Sequence, residues 1–231
     1  NPIDSGLVRY LGSLVKKGLL QLIICGRYQL IHLDRESNFQ LLKIMTEIEL
    51  PTLDDESARK AIQDPMSGIL EYETSEVQRL VLLTGGNPYL INYICSELVE
   101  AKMHSAARIT EKHVEELELR MTTGAMREPH FRVLYEDFEK IEGGIPWKVL
   151  LSIAHNAQRF REAIDWETIV QACNQELGLK VSRQRLHQAI TSLRTSQIVL
   201  ERRQGKDLKY LIAPDILRQW LQSQSLFYKQ T

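Results

Sequence analysis

Cysteine is scarce: Cys25, Cys95 and Cys173 are the only three in 231 residues, an odd number with no CxxC pair among them. That excludes a disulfide framework and argues against a zinc site; each sits alone in a largely apolar stretch and reads as a reduced, buried thiol of a cytoplasmic protein. The six histidines show no HxxxH or HxH spacing, which removes the usual zinc-binding pairs, and no GxSxG or paired Cys and His suggests covalent catalysis. No metal ligand set and no catalytic residue is expected. Long apolar runs are missing too. None exceeds four residues, as in Leu22 to Cys25, against the roughly 20 residues a membrane helix needs. The start, Asn1-Pro2-Ile3-Asp4, has neither the basic residues nor the apolar core of a secretion signal, and no initiator Met. The expectation is a chain that begins inside a longer protein. Neither a repeat nor a low-complexity tract occurs.

What is present is ordinary for a globular protein: 43% hydrophobic and 26% charged residues, with 29 Lys and Arg against 30 Asp and Glu. The length suits one large domain or two small ones. Charge is unevenly placed. Residues 1–121 hold 13 basic and 18 acidic residues, whereas 122–231 hold 16 and 12, so the second half is the basic one. Thr122-Thr123-Gly124, a breaker cluster after a helical pattern, marks the division.

Periodicity supplies the elements. Leu7, Val8, Leu11, Leu14 and Val15 recur at helical spacing and predict a helix over 5–17. The run 19–25 is apolar almost throughout, as a strand covered on both faces would be, and 47–50 alternates before Pro51. Residues 1–51 therefore read as the last strands of an α/β sheet. From Thr52 the pattern is helical: 54–63 capped by Asp54 or Asp55, 74–84 capped by Thr74 or Ser75, a helix opening on Asn87-Pro88, and another from Thr110 to about Arg120. This makes 52–121 a four-helix unit. In 122–231 helices are expected around 130–140, 146–155, 166–177, 183–195 and 214–224, with strand-like stretches 197–203 and 208–212 joined across Gln204 to Asp207. Helices followed by such a hairpin make a winged helix-turn-helix. The fold class is mainly α with small β parts.

These residues resemble a known family. Ile23-Ile24-Cys25-Gly26-Arg27, Ile48-Glu49-Leu50-Pro51-Thr52-Leu53 and above all Leu82-Leu83-Thr84-Gly85-Gly86-Asn87-Pro88-Tyr89-Leu90 look like the C-terminal half of a STAND-type P-loop ATPase, a signalling branch of the AAA+ class. The resemblance implies three parts: 1–51 as the end of the α/β P-loop nucleotide-binding domain, 52–121 as a helical lid and 122–231 as a winged-helix domain. It implies that Arg27 is sensor 1, contacting the terminal phosphate, and that Gly86 and Pro88 lie beside the adenine of ATP or ADP, held with Mg²⁺ by the parent protein. Read without the family, the favoured readings are a surface arginine that merely ends a strand for Arg27 and a helix-turn-helix corner for Gly86-Asn87-Pro88, the latter compatible with the lid role.

The phosphate loop is missing. Nothing fits GxxxxGK[ST], since the only Gly-Lys pair, Gly205-Lys206, lies in the hairpin with Leu200 where the first glycine belongs, and no apolar strand ends in Asp-Glu for the magnesium. The chain alone is expected to bind nucleotide weakly and to hydrolyse none, the missing motifs lying upstream. The implied function is a nucleotide-controlled signalling switch whose partners are the upstream ATPase segment and further copies in a homo-oligomer.

The basic half admits a second function. Residues 180–209 carry eight Lys and Arg against Glu201 and Asp207, an electrostatic footprint for phosphates. On the helix over 183–195, Leu186, Ala189, Ile190 and Leu193 form the buried stripe; Gln184 and Gln188 lie opposite, where they could read adenine, with Arg183 and Arg194 flanking. Arg202, Arg203 and Lys206 would form a wing against the backbone of double-stranded DNA, as in ATPases of origin recognition or transposition. The aromatics that would stack bases, Trp166 and Trp220, read as core. A winged helix that only packs, in a structural adaptor, fits the same residues.

Overall fold

A computed structural model describes residues 5–26, 44–46, 48–102, 108–123, 131, 138, 142–175, 181–205 and 207–228. The chain forms two compact units, Asn1–Pro51 and Thr52–Thr231.

In the first unit α1 (Ser5–Lys16) is the helix its spacing predicts. It stops at Gly18, whose φ of +68° suits a residue without Cβ; Gly18 N–H donates to the Val15 carbonyl and Leu19 N–H to that of Leu14, both at 3.0 Å. Among the described residues, the strands expected over 19–25 and 47–50 are not there. Residues 20–26 and 48–50 carry no strand, and Leu19, Ile23 and Leu50 are 73%, 88% and 86% exposed. A strand persists only where a neighbour completes its ladder, and among the described residues of this unit none does. Cys25, expected buried, is exposed, while Cys95 and Cys173 are buried.

The second unit is mainly helical with small sheets. It opens with α2 (Asp55–Gln63), capped by the Asp54 carboxylate, which accepts from Ser57 N–H at 2.7 Å. A 3-10 turn Asp64–Met66 at Pro65 leads to β1 (Glu71–Tyr72), then α3 (Thr74–Thr84), α4 (Pro88–Lys102), β2 (Arg108–Ile109) and α5 (Glu111–Thr123). α3 starts at Thr74, but its cap position is Glu73, with no side-chain cap bond. β1 and β2 pair in parallel, Glu71 with Arg108 and Tyr72 with Ile109.

A 3-10 turn Glu142–Gly144 then introduces α6 (Ile145–Asn156), β3 (Ile164–Asp165), α7 (Trp166–Gln175), α8 (Arg183–Thr195), β4 (Val199–Gln204), β5 (Asp207–Ile212) and α9 (Asp215–Tyr228). The strands form an antiparallel sheet in the order β3-β5-β4. Its register pairs Glu201 with Tyr210, Arg202 with Lys209 and Arg203 with Leu208. Asp165 caps α7 through Thr168 N–H and Oγ1, at 2.9 and 2.8 Å, and the Thr168 amide holds its carboxyl below the ordinary aspartate value.

α9 ties the unit together by packing on α6, α5 and α3. Its Trp220 is buried, as the sequence suggests, with ring centroids 5.0 Å from Phe131 and 6.0 Å from Trp147. Ser223 Oγ donates to the Thr122 carbonyl at 2.9 Å. The α6 C-terminus, whose carbonyls lack helical partners, is satisfied from α9: Gln222 Nε2 donates to Ala154 and Ala157 at 2.7 and 2.8 Å, and Arg218 Nη1 to Ala157 at 3.2 Å. Arg218 in turn forks onto the fully buried Asp215, at 2.7 and 2.9 Å.

Candidate functional site

Two places bring sequence-derived candidates together: the outward face of α8 with its hairpin, and the glycine corner between α3 and α4.

On α8 the side chain of Ser182 caps the first turn by accepting from Arg185 N–H, and Leu186, Ala189, Ile190 and Leu193 are buried. Gln184 and Gln188 are exposed one turn apart, as their spacing requires. Thr191 and Thr195 lie on the same exposed side, but their hydroxyls donate back to the carbonyls of His187 and Thr191 at 2.8 and 3.0 Å. The flanking arginines are already paired. Arg183 forks onto Glu167 of α7 at 2.9 and 2.7 Å, and Arg194 Nη1 lies 2.9 Å from Glu201 Oε2 on β4. Any phosphate must displace these carboxylates, though the pairs are solvent-exposed and contribute only about 0–1 kcal/mol each.

Arg202 and Arg203 are both exposed, yet neighbours on a strand point to opposite faces. The Arg194–Glu201 bridge and the edge-on contact of Tyr210 with Trp166, centroids 6.3 Å apart, fix which face looks toward α7 and α8. Arg203 shares that face, whereas Arg202 and its partner Lys209 lie on the reverse. Lys206, in the turn, falls outside the described residues. Trp166, read as core, is half-buried at the start of α7 with its ring 5.8 Å from that of the exposed His187, a ring the sequence reading passed over.

At the corner, α3 ends on Gly85 (φ +59°) and the chain turns through Gly86 (φ +71°). Asn87 then caps α4 with its side-chain oxygen, accepting from Tyr89 and Leu90 N–H at 3.0 and 3.2 Å, and Pro88 takes the first helical position, exposed. The glycines are required by close approach as well as by φ. A Cβ on Gly86 would stand 2.1 Å from the Leu53 carbonyl oxygen, and one on Gly85 would stand 2.6 Å from the Ala213 carbonyl. Leu53 N–H also donates to the Gly86 carbonyl at 2.9 Å. One side of the corner is thus occupied by Leu53, and the other by the junction between β5 and α9. Arg27, the third nucleotide-binding candidate, lies outside the described residues.

A link the sequence gave no sign of sits beside this corner. Thr52 donates its backbone N–H to the side-chain oxygen of Gln197, in the turn between α8 and β4. Gln197 is one of two non-glycine residues with positive φ among the described residues, at +59°. The two residues opening the second unit, Thr52 and Leu53, are therefore bound to both the glycine corner and the α8–β4 turn.

Among the described residues no group of three His, Cys, Asp or Glu side chains is placed to hold a metal ion, and no helix is long and apolar enough to cross a membrane. Comparison with family models, with curated proteins and with solved structures finds no match.

Proposed function

We propose that this chain is the responding part of a nucleotide-controlled switch of the STAND branch of P-loop ATPases. In this reading the helices of 52–121 form the lid, and 122–231 form a winged-helix domain that carries the change onward. The phosphate loop and magnesium-binding carboxylate come from outside these residues, and bound ATP or ADP with Mg²⁺ is sensed through Arg27 and walled by Pro88. The lid releases to assemble with further copies of the protein.

The observation supporting this reading is the double attachment of Thr52 and Leu53, one to the Gly86 carbonyl and one to Gln197. A displacement of the chain just before Thr52 must break both hydrogen bonds, worth about 1 kcal/mol each, or carry the lid corner and the α8–β4 turn with it. Gly86 serves here by admitting the Leu53 backbone, which leaves Pro88 the freer residue for a base. A nucleotide shifts such an element only by its differential affinity for the two positions. The test is hydrogen exchange in the protein carrying its phosphate loop. ATP and ADP should give different protection at Leu53, Gly86 and Ile198, and Gln197→Ala should abolish the difference at Ile198 alone. Identical protection in both nucleotides would refute the switch.

A second reading, binding of double-stranded DNA by α8, is favoured by the paired exposure of Gln184 and Gln188 on one helix face. Its measure is the salt dependence of duplex affinity, where a flat log–log slope would rule it out.

A further inference from the structure

The cleft between α4 and α5 is used by neither the switch nor the α8 face. The two helices pack on one another, and the cleft beside their contact has a volume of about 290 Å³. Leu98 of α4 and Leu117 of α5, both buried, form its floor together with Ala101. Its rim carries charges of both signs. Glu97 stands on α4, while Lys112, Glu116 and Arg120 follow one another on α5, each one helical turn from the next, so that plus, minus and plus alternate along one edge. Arg120 reaches across to α4, where its Nη2 donates to Glu97 Oε2 at 3.1 Å. Glu116 Oε1 lies 3.8 Å from Lys112 Nζ, at the limit of an ion pair, and both of these side chains are largely exposed. His113 lines the same cleft. Its Nδ1 accepts from the Thr110 N–H at 2.9 Å, which fixes the ring and puts the proton of the neutral imidazole on Nε2.

These charges select a ligand. With the imidazole neutral, Lys112 and Arg120 balance Glu97 and Glu116. A simple anion entering the cleft meets the two carboxylates and a metal cation meets the two basic groups, so each is opposed by as much charge as favours it. A zwitterion is opposed by neither. In an α-amino acid the ammonium and carboxylate share one carbon, and Glu116 and Arg120, with about 5–6 Å between Cβ atoms one turn apart, offer a matching pair of opposite charges. Arg120 has five N–H donors, enough to hold a ligand carboxylate while still donating to Glu97. The volume lies at the lower end of the roughly 300–1,000 Å³ common for small-molecule sites, which suits a ligand smaller than a nucleotide, and an apolar wall with a few convergent polar groups is the usual makeup of such a site.

We infer that the α4–α5 cleft binds a free α-amino acid with an aliphatic side chain. The ligand's carboxylate lies on Arg120 and its ammonium on Glu116, where it takes the place of Lys112. The aliphatic chain covers Leu98, Ala101 and Leu117. This site rests on neither function proposed above.

The test is titration of the full chain with L-leucine, read from the backbone amide resonances of α4 and α5, which should shift saturably at millimolar concentration. Two analogues each lack one charge: 4-methylpentanoate has no ammonium and 3-methylbutylamine no carboxylate. Each should bind about tenfold or more weakly than leucine. Glycine, with both charges but no side chain, should bind several-fold more weakly. Arg120→Gln and Glu116→Gln should each weaken leucine about tenfold, and Glu116→Gln should at the same time bind 4-methylpentanoate better than the parent does. Lys112→Gln, which leaves Glu116 to the ammonium, should bind leucine at least as well as the parent. Glu116 and Lys112 are exposed, so their substitutions keep the fold and the test stays decisive even if Arg120→Gln loosens the helix pair. The inference is overturned if leucine gives no saturable shift, if either single-charge analogue binds as well as leucine, or if Glu116→Gln binds leucine as the parent does. Glycine binding as well as leucine would overturn the aliphatic part. Failure of the switch shows instead in Gln197→Ala, which this site predicts to bind leucine normally.

Discussion

Thr52 and Gln197 stand 145 positions apart in the sequence, and the backbone N–H of the first donates to the side-chain oxygen of the second. The acceptor belongs to a residue in a left-handed conformation, so the contact is maintained against local strain by the packing around it.

Replacing Gln197 by Ala leaves the partly buried Thr52 amide without its acceptor and keeps the left-handed backbone. A loss of about 1–2 kcal/mol is expected. Gln197→Gly loses the same bond but relieves the φ cost, so it should be the milder change by about 1 kcal/mol. Urea unfolding of the two variants gives the comparison, and a Gly variant less stable than the Ala variant would contradict it.

The glycine corner makes a sharper contrast. Gly86→Ala puts a methyl group 2.1 Å from the Leu53 carbonyl oxygen, against backbone that cannot swing aside, whereas Gly143, at a similar φ of +69°, has nothing within 4 Å. Gly143→Ala should cost about 1 kcal/mol, the conformational part alone, and Gly86→Ala at least about 3 kcal/mol through displaced backbone. Thermal melts with equal losses at the two positions would show that the Leu53 contact is not tight.

Arg218→Met removes the partner of a fully buried carboxylate and one donor to the α6 terminus. The expected cost is about 3–5 kcal/mol. Adding Asp215→Asn, which removes the stranded charge, should recover part of it. A double variant no more stable than the single one would assign the cost to helix capping.

If α8 binds duplex DNA, the carboxylates on Arg183 and Arg194 compete with it. Glu167→Gln and Glu201→Gln should each tighten duplex binding several-fold at low salt, with the gain fading as salt rises. Unchanged or weaker affinity in both variants would speak against this face.

Burial pushes the Cys95 thiol up to about 11 and, with Glu97 beside it, the Tyr93 hydroxyl up to about 12. Both shifts favour the protonated form in the folded chain. Their stabilisation is complete below the unfolded values of about 8.5 and 10 and is lost as pH rises toward the folded ones. The unfolding midpoint should therefore decline above about pH 8.5, and Cys95→Ala should flatten the first part of that decline. At pH 8 a thiol reagent should modify exposed Cys25 at once and leave Cys95 and Cys173 until the chain unfolds.

Helical spacing and cap residues were legible in the sequence: α1, α2, α4 and α8 lie where Leu7 to Val15, Asp54, Asn87-Pro88 and Ser182 put them. The hairpin was equally legible, because six-residue strands on either side of Gly205 leave a pattern. The two-residue strands β1, β2 and β3 were not, since two residues carry no period. The run 19–25 misled for a related reason. An apolar stretch states that burial is favourable, while a strand also needs a partner whose hydrogen bonds no single segment encodes. For the candidate site, the sequence supplied the cations and glutamines of α8 but could not say that Glu167 and Glu201 hold two of those cations.

By itself, then, the sequence determined where helices begin and stop and which of their faces are polar, because those properties depend on neighbours within a turn or two. Only the tertiary structure decided what meets across long stretches of chain. It set the Leu53 backbone against Gly86, Thr52 on Gln197 and Arg218 on the Ala157 carbonyl. Those contacts follow from how helices and strands pack in three dimensions, where close approach arises between residues that no local pattern relates.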